Sequence, residues 1–464
     1  MNRAAGRRAA APKSRGFRPD ATLVLTILLP LLAAGLTLGL RQQHHPRLVL
    51  PPTRTALTHA AVVCPASSRA SRVTVVAAAD GSVAALAAGK GKPAAPVTVE
   101  ADRPASVSGL GGDAGILTGS GPTAPGLVAG RSTVKPLTAT DCPVTSSDEW
   151  FTGVGAGATH DSVLEVVNPE EGPAVVDVDV LGSTGAVPAS ALAGIEVAGD
   201  SSESFDLGKL IPSNSTLALH ARVERGQVAM SVTDEQLSLT GGKPVAEWMP
   251  GQSAPARKVT LLGLPSGGDS RQLVIANPGQ DELSGTVKLV TSDAVLTPSG
   301  APTFDVGPES VATVRLDGML RRKIAKGALG VEVDGNHAMT ATLRTTVGGD
   351  LAISAPGDEV GGETSVVVPQ GPKQVVFGDA TVVGGVTVTA IDARGRTLTT
   401  RRVALTPRQG ESVSVPAKAV LLRIVPRGGD VRGAVVVTGH GAAVVPIRPL
   451  QRSGLVPGVR PALR

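Results

Sequence analysis

An internal repeat constrains the fold of this chain more than any other feature. The segments LEVVNPEEGPAVVDVDVLG and LVIANPGQDELSGTVKLVT each hold an apolar run, an Asn-Pro pair, a polar loop and an alternating run. Asn168-Pro169 and Asn277-Pro278 are 109 residues apart, and the same offset relates GQVAM at Gly226 to GNHAM at Gly335. An offset that holds from the Asn-Pro pair to the GQVAM motif predicts two copies of one domain.

The Asn-Pro pair has two interpretations, a functional site used twice or a structural joint. Proline cannot donate to a β-ladder and disposes the preceding residue towards an extended conformation. An asparagine side chain can hydrogen-bond its own backbone where the chain turns. Because the offset also relates residues without evident chemistry, we predict that each pair ends a strand, opens a loop and marks a copy of the domain.

Short alternating runs predict an all-β chain. In VVDVDVLG, Val176, Val178 and Val180 share one face, and Asp177 and Asp179 share the other. Aromatic residues make up only 2% of the chain, so valine and alanine must fill the core, which suits strands. Strands spaced by about ten residues predict tandem immunoglobulin-like β-sandwich domains. A β-propeller is the alternative, although the 109-residue repeat exceeds a usual blade of about 40–50 residues.

Composition and repeats divide the chain into eight segments. Gly378-Asp379 stands where Asn-Pro would be in a third copy, and Asp80-Gly81 predicts a hairpin in the first β-rich region. The predicted segments are a basic tail at 1–20, a transmembrane segment at 21–40, a linker at 41–50, a β-rich region at 51–145, repeats at 146–244, 245–358 and 359–450, and a basic tail at 451–464.

The two tryptophans follow a glutamate in similar contexts, DEWFTG and AEWMPG. Trp150 and Trp248 are therefore expected to open the first two repeats and to pack within the structure. Binding of a sugar or a peptide by an exposed tryptophan is the alternative.

The N-terminal segment predicts insertion into a membrane. Residues 21–40, ATLVLTILLPLLAAGLTLGL, carry no charge and match the length needed to cross a bilayer as a helix. Basic residues at 1–20 predict that the N-terminus is cytoplasmic and the bulk of the chain extracytoplasmic. A cleaved signal peptide is the alternative, but the apolar run is long and lacks a small-x-small cleavage motif.

The charge distribution excludes a basic nucleic-acid-binding domain. Residues 1–20 hold six of the 44 Lys and Arg residues and one of the 39 Asp and Glu residues. The rest of the chain is therefore balanced, and no basic face is expected that could follow a phosphate backbone.

Two cysteines fit an exported protein. A disulfide between Cys64 and Cys142 is expected, because an extracytoplasmic compartment permits oxidation. Two free buried thiols and a reactive thiol pair are the alternatives. The seven histidines lack metal-ligand spacing, and neither a nucleophile motif nor a phosphate loop is present. We therefore predict no catalytic residue, metal or cofactor.

One basic cluster is a candidate binding surface. Arg321, Arg322 and Lys323 lie in RRKIAK and could meet an anionic wall polymer or lipid. A solvated loop or helical turn is the alternative.

The stretch DCPVTSSDEWFTGVGA, followed by SVLEVVNPEEGPAVVDVDVLGSTG, resembles an actinobacterial envelope family, the domain of unknown function 5719. Its Cys-Pro, Trp-Phe-x-Gly and Asn-Pro elements carry the resemblance. The resemblance implies a membrane-associated extracytoplasmic protein of unknown activity, with no catalytic residues to transfer.

These observations favour a single-pass envelope protein whose tandem domains bind or scaffold, for example in wall or surface-glycan assembly. The expected partners are the membrane, through residues 21–40, and a cell-wall polymer or envelope protein. Two alternatives stay open: an enzyme acting on envelope polymer through a site assembled from distant loops, and an extracytoplasmic sensor.

Overall fold

The computed structural model describes residues 28–33, 35–36, 50–89, 92–212, 214–237 and 244–458. The chain forms two compact bodies, Thr55–Gly454 and a smaller one from Met1–Arg54 with Leu455–Arg464. Strands β1 (Leu50–Ala56) and β35 (Ser453–Gly458) pair in a two-stranded sheet.

Most of the predicted transmembrane segment at 21–40 lies outside the described residues, as do the tail at 1–20 and nearly all of the linker at 41–50. The described part, residues 28–33 and 35–36, is helical and exposed. Within the part of the chain that the structure describes, no helix is both long and apolar enough to cross a membrane.

The larger body is all-β, as predicted, and its described residues form four consecutive modules: module 1 (59–142), module 2 (148–249), module 3 (256–354) and module 4 (364–446). Each module has eight strand positions in the same order. The first, sixth, third and fourth strands form one antiparallel sheet, the first-strand sheet. The fifth, second, seventh and eighth form the other, the last-strand sheet.

Modules 1 and 4 show this order without additions, as β2-β7-β4-β5 with β6-β3-β8-β9, and β27-β32-β29-β30 with β31-β28-β33-β34. The strands of module 1 are β2 (His59–Cys64), β3 (Arg72–Val76), β4 (Gly81–Ala87), β5 (Lys92–Val99), β6 (Ala105–Val107), β7 (Gly115–Ser120), β8 (Val128–Val134) and β9 (Leu137–Asp141). Those of module 4 are β27 (Thr364–Val367), β28 (Lys373–Gly378), β29 (Gly384–Asp392), β30 (Thr397–Leu405), β31 (Glu411–Val415), β32 (Ala419–Arg427), β33 (Arg432–Gly439) and β34 (Gly441–Pro446).

Module 2 has the same order, with two short strands in the fourth position and a helical turn after the fifth strand. Its elements are β10 (Asp148–Gly157), β11 (His160–Asn168), β12 (Ala174–Gly182), β13 (Gly185–Val187), β14 (Ile195–Val197), β15 (Ser201–Asp206), α1 (Leu207–Leu210), β16 (Asn214–Arg225), β17 (Ala229–Gln236) and β18 (Val245–Met249).

Module 3 differs from module 2 at one joint. Its sixth and seventh positions are one continuous strand, whereas module 2 breaks between β16 and β17 at Gly226, whose φ is +81°. Its elements are β19 (Ala256–Leu262), β20 (Ser270–Asn277), β21 (Leu283–Val290), β22 (Val295–Leu296), β23 (Thr303–Val306), β24 (Ser310–Arg315), α2 (Asp317–Leu320), β25 (Gly330–Val347) and β26 (Asp350–Ser354).

Each module buries an apolar core between its two sheets. In module 2, Val176, Val178 and Val180 of the first-strand sheet pack with Leu164 and Met230 of the last-strand sheet. The period of two therefore places these valines inside and the aspartates between them on the outer face. Each buried valine side chain contributes roughly 1.5 kcal/mol or more to stability, which lets a core poor in aromatic residues hold the fold.

The four modules close into a ring. The outer face of each first-strand sheet packs on the outer face of the next module's last-strand sheet, and module 4 packs on module 1 in the same way. Between modules 2 and 3, for example, Trp150 and Leu181 contact Val274. The other three interfaces are centred on Ile116 with Val167 between modules 1 and 2, Leu262 with Val436 between modules 3 and 4, and Leu421 with Val128 between modules 4 and 1.

The eighth strands meet where the modules converge. Strand β9 contacts β18 and β34, and β26 contacts the same two strands. The amide of Leu137 donates to the carbonyl of His440 at 3.2 Å across the contact between β9 and β34. An edge strand carries unpaired backbone groups that invite further pairing, so this arrangement covers four edges at once.

The prediction of an all-β chain with β-sandwich-like sheets is confirmed, and residues 51–145 contain a further module. The predicted hairpin at Asp80-Gly81 is wrong, because β3 pairs with β6 and β8 whereas β4 pairs with β5 and β7. The ring shares face-to-face circular packing of sheets with a β-propeller. Its strands, however, cross repeatedly from one sheet to the other within each module, so the repeating unit is a module of two sheets.

Candidate functional site

The asparagine of the first Asn-Pro pair joins the two sheets of module 2. Asn168 ends β11 and is fully buried. Its Nδ2 donates to the carbonyls of Gly172 (2.7 Å) and Val197 (3.1 Å), and its Oδ1 accepts from the amide of Glu170 (3.0 Å). Val197 ends β14 in the opposite sheet, so the side chain ties the two sheets together where the chain turns.

Asn277 makes the corresponding bonds in module 3, where it ends β20. Its Nδ2 donates to Asp281 (2.8 Å) and Val306 (3.2 Å), and its Oδ1 accepts from Gly279 (2.9 Å). All three partners lie 109 residues after their counterparts in module 2. In module 4 the second strand ends at Gly378, where the sequence placed the corresponding joint. Asn-Pro is thus a structural joint in both copies.

The disulfide between Cys64 and Cys142 is confirmed. Cys64 is the last residue of β2, and Cys142 follows β9, so the bond links the first and last strands of module 1. Both cysteines lie in the core of that module. Within the described residues, no free cysteine is present.

The two tryptophans occupy different positions in the fold. Trp150 lies in β10, the first strand of module 2, and stacks on His220 with ring centroids 4.0 Å apart. Trp248 lies in β18, the eighth strand of the same module, and its Nε1 donates to Ala66 O at 3.0 Å. Both are 5% exposed. Trp248 therefore does not open the second repeat, which begins after it. The two Glu-Trp pairs, which are 98 residues apart rather than 109, do not reflect the duplication.

The basic cluster follows α2. Arg321 Nη2 donates to Asp269 O at 3.2 Å, and Arg322 Nη1 donates to Ser299 O. Both arginines thus bind backbone of their own module, whereas the neighbouring Lys323 begins a short 3₁₀ turn and is exposed. The cluster therefore stays a candidate binding surface, although two of its three cations already donate to backbone carbonyl groups.

A buried polar network joins modules 2 and 3. Asp234 accepts hydrogen bonds from Arg344 Nη1 (2.6 Å) and Ser162 Oγ (2.6 Å), and its Oδ1 lies 2.7 Å from His160 Nε2. Burial disfavours the ionised Asp234, but the charges of Arg344 and His160 and these hydrogen bonds outweigh it, so its pKa is lowered.

Serine, histidine and aspartate also form hydrolytic triads, in which histidine lies between the other two. Here Asp234 lies between Ser162 and His160, and the Ser162 hydroxyl is already bonded to the carboxylate. Ser162 is fully buried. The network therefore has the geometry of an interface ion pair, not of a nucleophile with its base.

Three buried carboxyl groups lie on the first and eighth strands. Burial raises the pKa of Glu149 to about 8, although the Arg448 guanidinium opposes this. Burial likewise raises the pKa of Asp350 to about 6, and that of Glu247 well above its usual value. Asp350 packs so closely on Gly441 that a Cβ there would overlap its carboxyl group. Neither Glu149 nor Asp350 lines either of the two large clefts along the ring, and Glu247 lines only a small pocket of about 20 Å³ beside Trp248.

Two large clefts lie along the ring, each at a boundary between modules. The 2–3 cleft, between modules 2 and 3, has a volume of about 690 Å³ and is lined by Trp150, His220 and Arg222, among others. Its basic side chains face carboxylates, since Arg222 lies 2.8 Å from Asp179 and His220 lies 3.1 Å from Asp148, and Glu309 adds a further carboxylate to the lining.

The 4–1 cleft, between modules 4 and 1, has a volume of about 670 Å³. Arg72 and Lys135 line it, and none of its described lining residues is Asp or Glu. This cleft has the size of a small-ligand site, and the charged residues that line it are all basic. It is the candidate functional site, and no local sequence pattern signals it, because its walls come from the two ends of the larger body.

Over the described ranges, no group of three or more His, Cys, Asp or Glu side chains is placed to hold a metal ion.

Comparisons with known proteins place the chain in a family. No curated protein matches it. The native conformation of E. coli alpha-2-macroglobulin is similar over 88% of this chain and 30% of that one, at 10% identity and a TM-score of 0.12. The chain thus spans less than a third of the length of that protein. The sequence pattern of a family of unknown function matches residues 105–417, more than half of the chain. The protein therefore belongs to the family of unknown function DUF5719, as its Cys-Pro, Trp-Phe-x-Gly and Asn-Pro elements indicated.

Proposed function

We propose that this protein is a membrane-anchored, extracytoplasmic binding or scaffolding protein of the cell envelope. The observation that carries the proposal is the ring of four modules with a carboxylate-free cleft at one of its boundaries. Apolar packing between all four neighbours makes a rigid body, and a rigid body presents a binding surface without a large ordering cost.

The modules support this role as variants of the immunoglobulin-like sandwich. In each, the sixth strand pairs with the third and the second pairs with the fifth, as in that architecture. Sandwiches of this kind commonly serve recognition at cell surfaces.

Export is supported by the disulfide of module 1 and by the uncharged stretch at 21–40. Disulfides persist in oxidising compartments, and a stretch of this length suits a helical span. Tandem modules after such an anchor would stand on the outer side of the membrane, where a wall polymer or an envelope protein is within reach.

Crosslinking in intact cells, followed by purification of the full chain from membranes, tests the proposal. We expect recovery of a specific envelope glycan or protein and a chain that stays membrane-bound after alkaline washing. A matched variant with Leu29→Arg and Leu32→Arg should lose membrane association, whereas Leu29→Ala with Leu32→Ala should keep it. Recovery of the chain in the soluble cytoplasm, with reduced cysteines and no specific envelope partner, would contradict the proposal.

A further inference from the structure

The 4–1 cleft is set apart by polar groups that have no partner among the residues that the structure describes. Arg72 and Lys135 are exposed, and neither forms an ion pair with any described residue. The side chains of Thr74, Ser106 and Ser132 form no hydrogen bond with the part of the chain that the structure describes. The Arg222 guanidinium in the 2–3 cleft, by contrast, already faces Asp179 at 2.8 Å.

Strand register brings these groups together on one outer sheet face. Arg72 pairs with Ser132, and Thr74 pairs with Ser106 on one side and Gly130 on the other. Directly opposed residues place their Cβ atoms about 5 Å apart. One cation and three hydroxyls therefore lie within the span of one or two sugar rings, and Lys135 follows in the turn between β8 and β9.

Module 4 forms the opposite wall. A Cβ added at Gly130 would lie 3.1 Å from the Cβ of Val367, so the missing side chain is what lets module 4 seat closely on this sheet. Beyond that contact, Pro369 and Gln370 line the cleft. Gln370 is exposed and adds an amide that can donate and accept. Closure of the ring thus turns an open sheet face into a two-walled site.

Arg131 fixes the near wall. Its guanidinium donates to Pro65 O (2.6 Å), Gly111 O (2.6 Å) and Asp113 O (2.7 Å), and it also donates to Ser71 Oγ (2.8 Å). It is 1% exposed. Arg131 is therefore a positioning residue that holds the segment leading into β3 and its cation, rather than a ligand-binding group.

We propose that the 4–1 cleft binds an oligosaccharide carrying carboxylate or phosphate groups. Unpaired cations supply charge recognition, and the hydroxyls and the amide suit the hydroxyl groups of a sugar. A short glycan can enter a two-walled cleft of this volume, whereas a flat bilayer surface cannot. The inference rests on the proposed binding role, because it names the ligand class of that same site.

Calorimetric titration of the purified full chain tests the inference with four probes. They are trigalacturonate, its neutral methyl ester, a trisaccharide with one phosphate monoester, and vesicles of phosphatidylglycerol with phosphatidylcholine. We expect at least one charged trisaccharide to bind, at least tenfold more tightly than the neutral ester. The two charged trisaccharides distinguish carboxylate from phosphate as the recognised group. Affinity should fall as salt rises, since the cations are exposed and screened.

The variant with Arg72→Gln and Lys135→Gln should weaken binding of the charged trisaccharide at least tenfold, and Ser106→Ala a few-fold. Arg222→Gln in the 2–3 cleft is the matched control and should bind as the wild type does. Unchanged melting temperatures would show that the exposed substitutions leave the fold intact.

Equal binding of charged and neutral trisaccharides, wild-type affinity in the double variant, or no binding of any trisaccharide would overturn the inference. Vesicle binding that is lost in the double variant, without trisaccharide binding, would also overturn it and would assign the cleft to a lipid surface; vesicle binding that the double variant keeps would report the segment at 21–40 instead. If crosslinking in cells still recovers an envelope partner for the double variant, the proposed scaffold role stands and only the cleft assignment falls.

Discussion

Asp234 and Arg344 form a buried ion pair across two modules, with Oδ2 and Nη1 2.6 Å apart. Their side chains are 0% and 7% exposed. Removing one partner of such a pair leaves an uncompensated buried charge. The pair therefore couples the folding of module 2 to that of module 3.

Asp234→Asn should lower the free energy of unfolding by about 3 kcal/mol, because Arg344 would remain buried without a counter-charge. Urea denaturation measures the change. Asp179→Asn is the control, since its pair with Arg222 is about half exposed and should change stability by less than about 1 kcal/mol. Similar small effects of both substitutions would argue against the coupling.

Asn168→Ala and Asn277→Ala should each destabilise the protein by about 2–4 kcal/mol, because each leaves buried backbone groups without a partner. The two effects should be similar, because three of the bonds are the same in both modules, although Asn277 Nδ2 also donates to Gly307 O at 2.9 Å. Asn336→Ala is the control, because that side chain is exposed, and it should cost less than about 1 kcal/mol. Thermal unfolding of the three variants gives the comparison. A large loss of stability from only one of the two asparagine substitutions would show that the asparagine does not stabilise both modules in the same way.

Replacing both Cys64 and Cys142 by alanine should lower stability by about 4 kcal/mol, because the bond closes a 78-residue segment. The change should be seen as a lower melting temperature. Treatment of the wild type with a reductant should reproduce it, and the same reductant should leave the double variant unaffected. A variant as stable as the oxidised wild type would contradict this expectation.

Stability should fall as pH rises from about 4 to about 8. Glu149 and Asp350 have raised pKa values in the fold, so their contributions are present below the unfolded values of about 4. They are lost as pH rises through about 6 for Asp350 and about 8 for Glu149.

Melting temperatures between pH 4 and pH 9 measure this decline, and Glu149→Gln should flatten its part between about pH 6 and pH 8. Glu203→Gln, at an exposed position of β15, should keep the wild-type profile. The lowered pKa of Asp234 acts in the opposite direction, because its contribution is present at neutral pH and is lost in acid. A wild-type profile without a decline between about pH 6 and pH 8 would contradict the raised pKa of Glu149.

The sequence predicted the duplication because modules 2 and 3 still share residues at one offset, including Asn168 and Asn277. Modules 1 and 4 have the same strand order, but valine and alanine can fill equivalent strands in many combinations, so no offset reveals them. The Glu-Trp pairs were misleading for a related reason. Glu149-Trp150 and Glu247-Trp248 both suit a strand buried on both faces, and one such strand begins module 2 while the other ends it.

The cleft was beyond prediction from sequence. Arg72 and Lys135 come from module 1 and Gln370 from module 4, and only closure of the ring brings them to one site. Local patterns report period and turn chemistry, whereas this site depends on how the first module meets the last.

That closure also fixes how many modules the chain can hold. The outer face of each first-strand sheet packs on the outer face of the next module's last-strand sheet. Such head-to-tail contacts produce filaments unless they close into a ring. With four modules, the outer faces of all the described first-strand and last-strand sheets are covered within one molecule. Deletion of one module would leave two uncovered apolar sheets, and the shortened chains would be expected to associate end to end. In the part of the chain that the structure describes, the number of modules thus itself contributes to solubility.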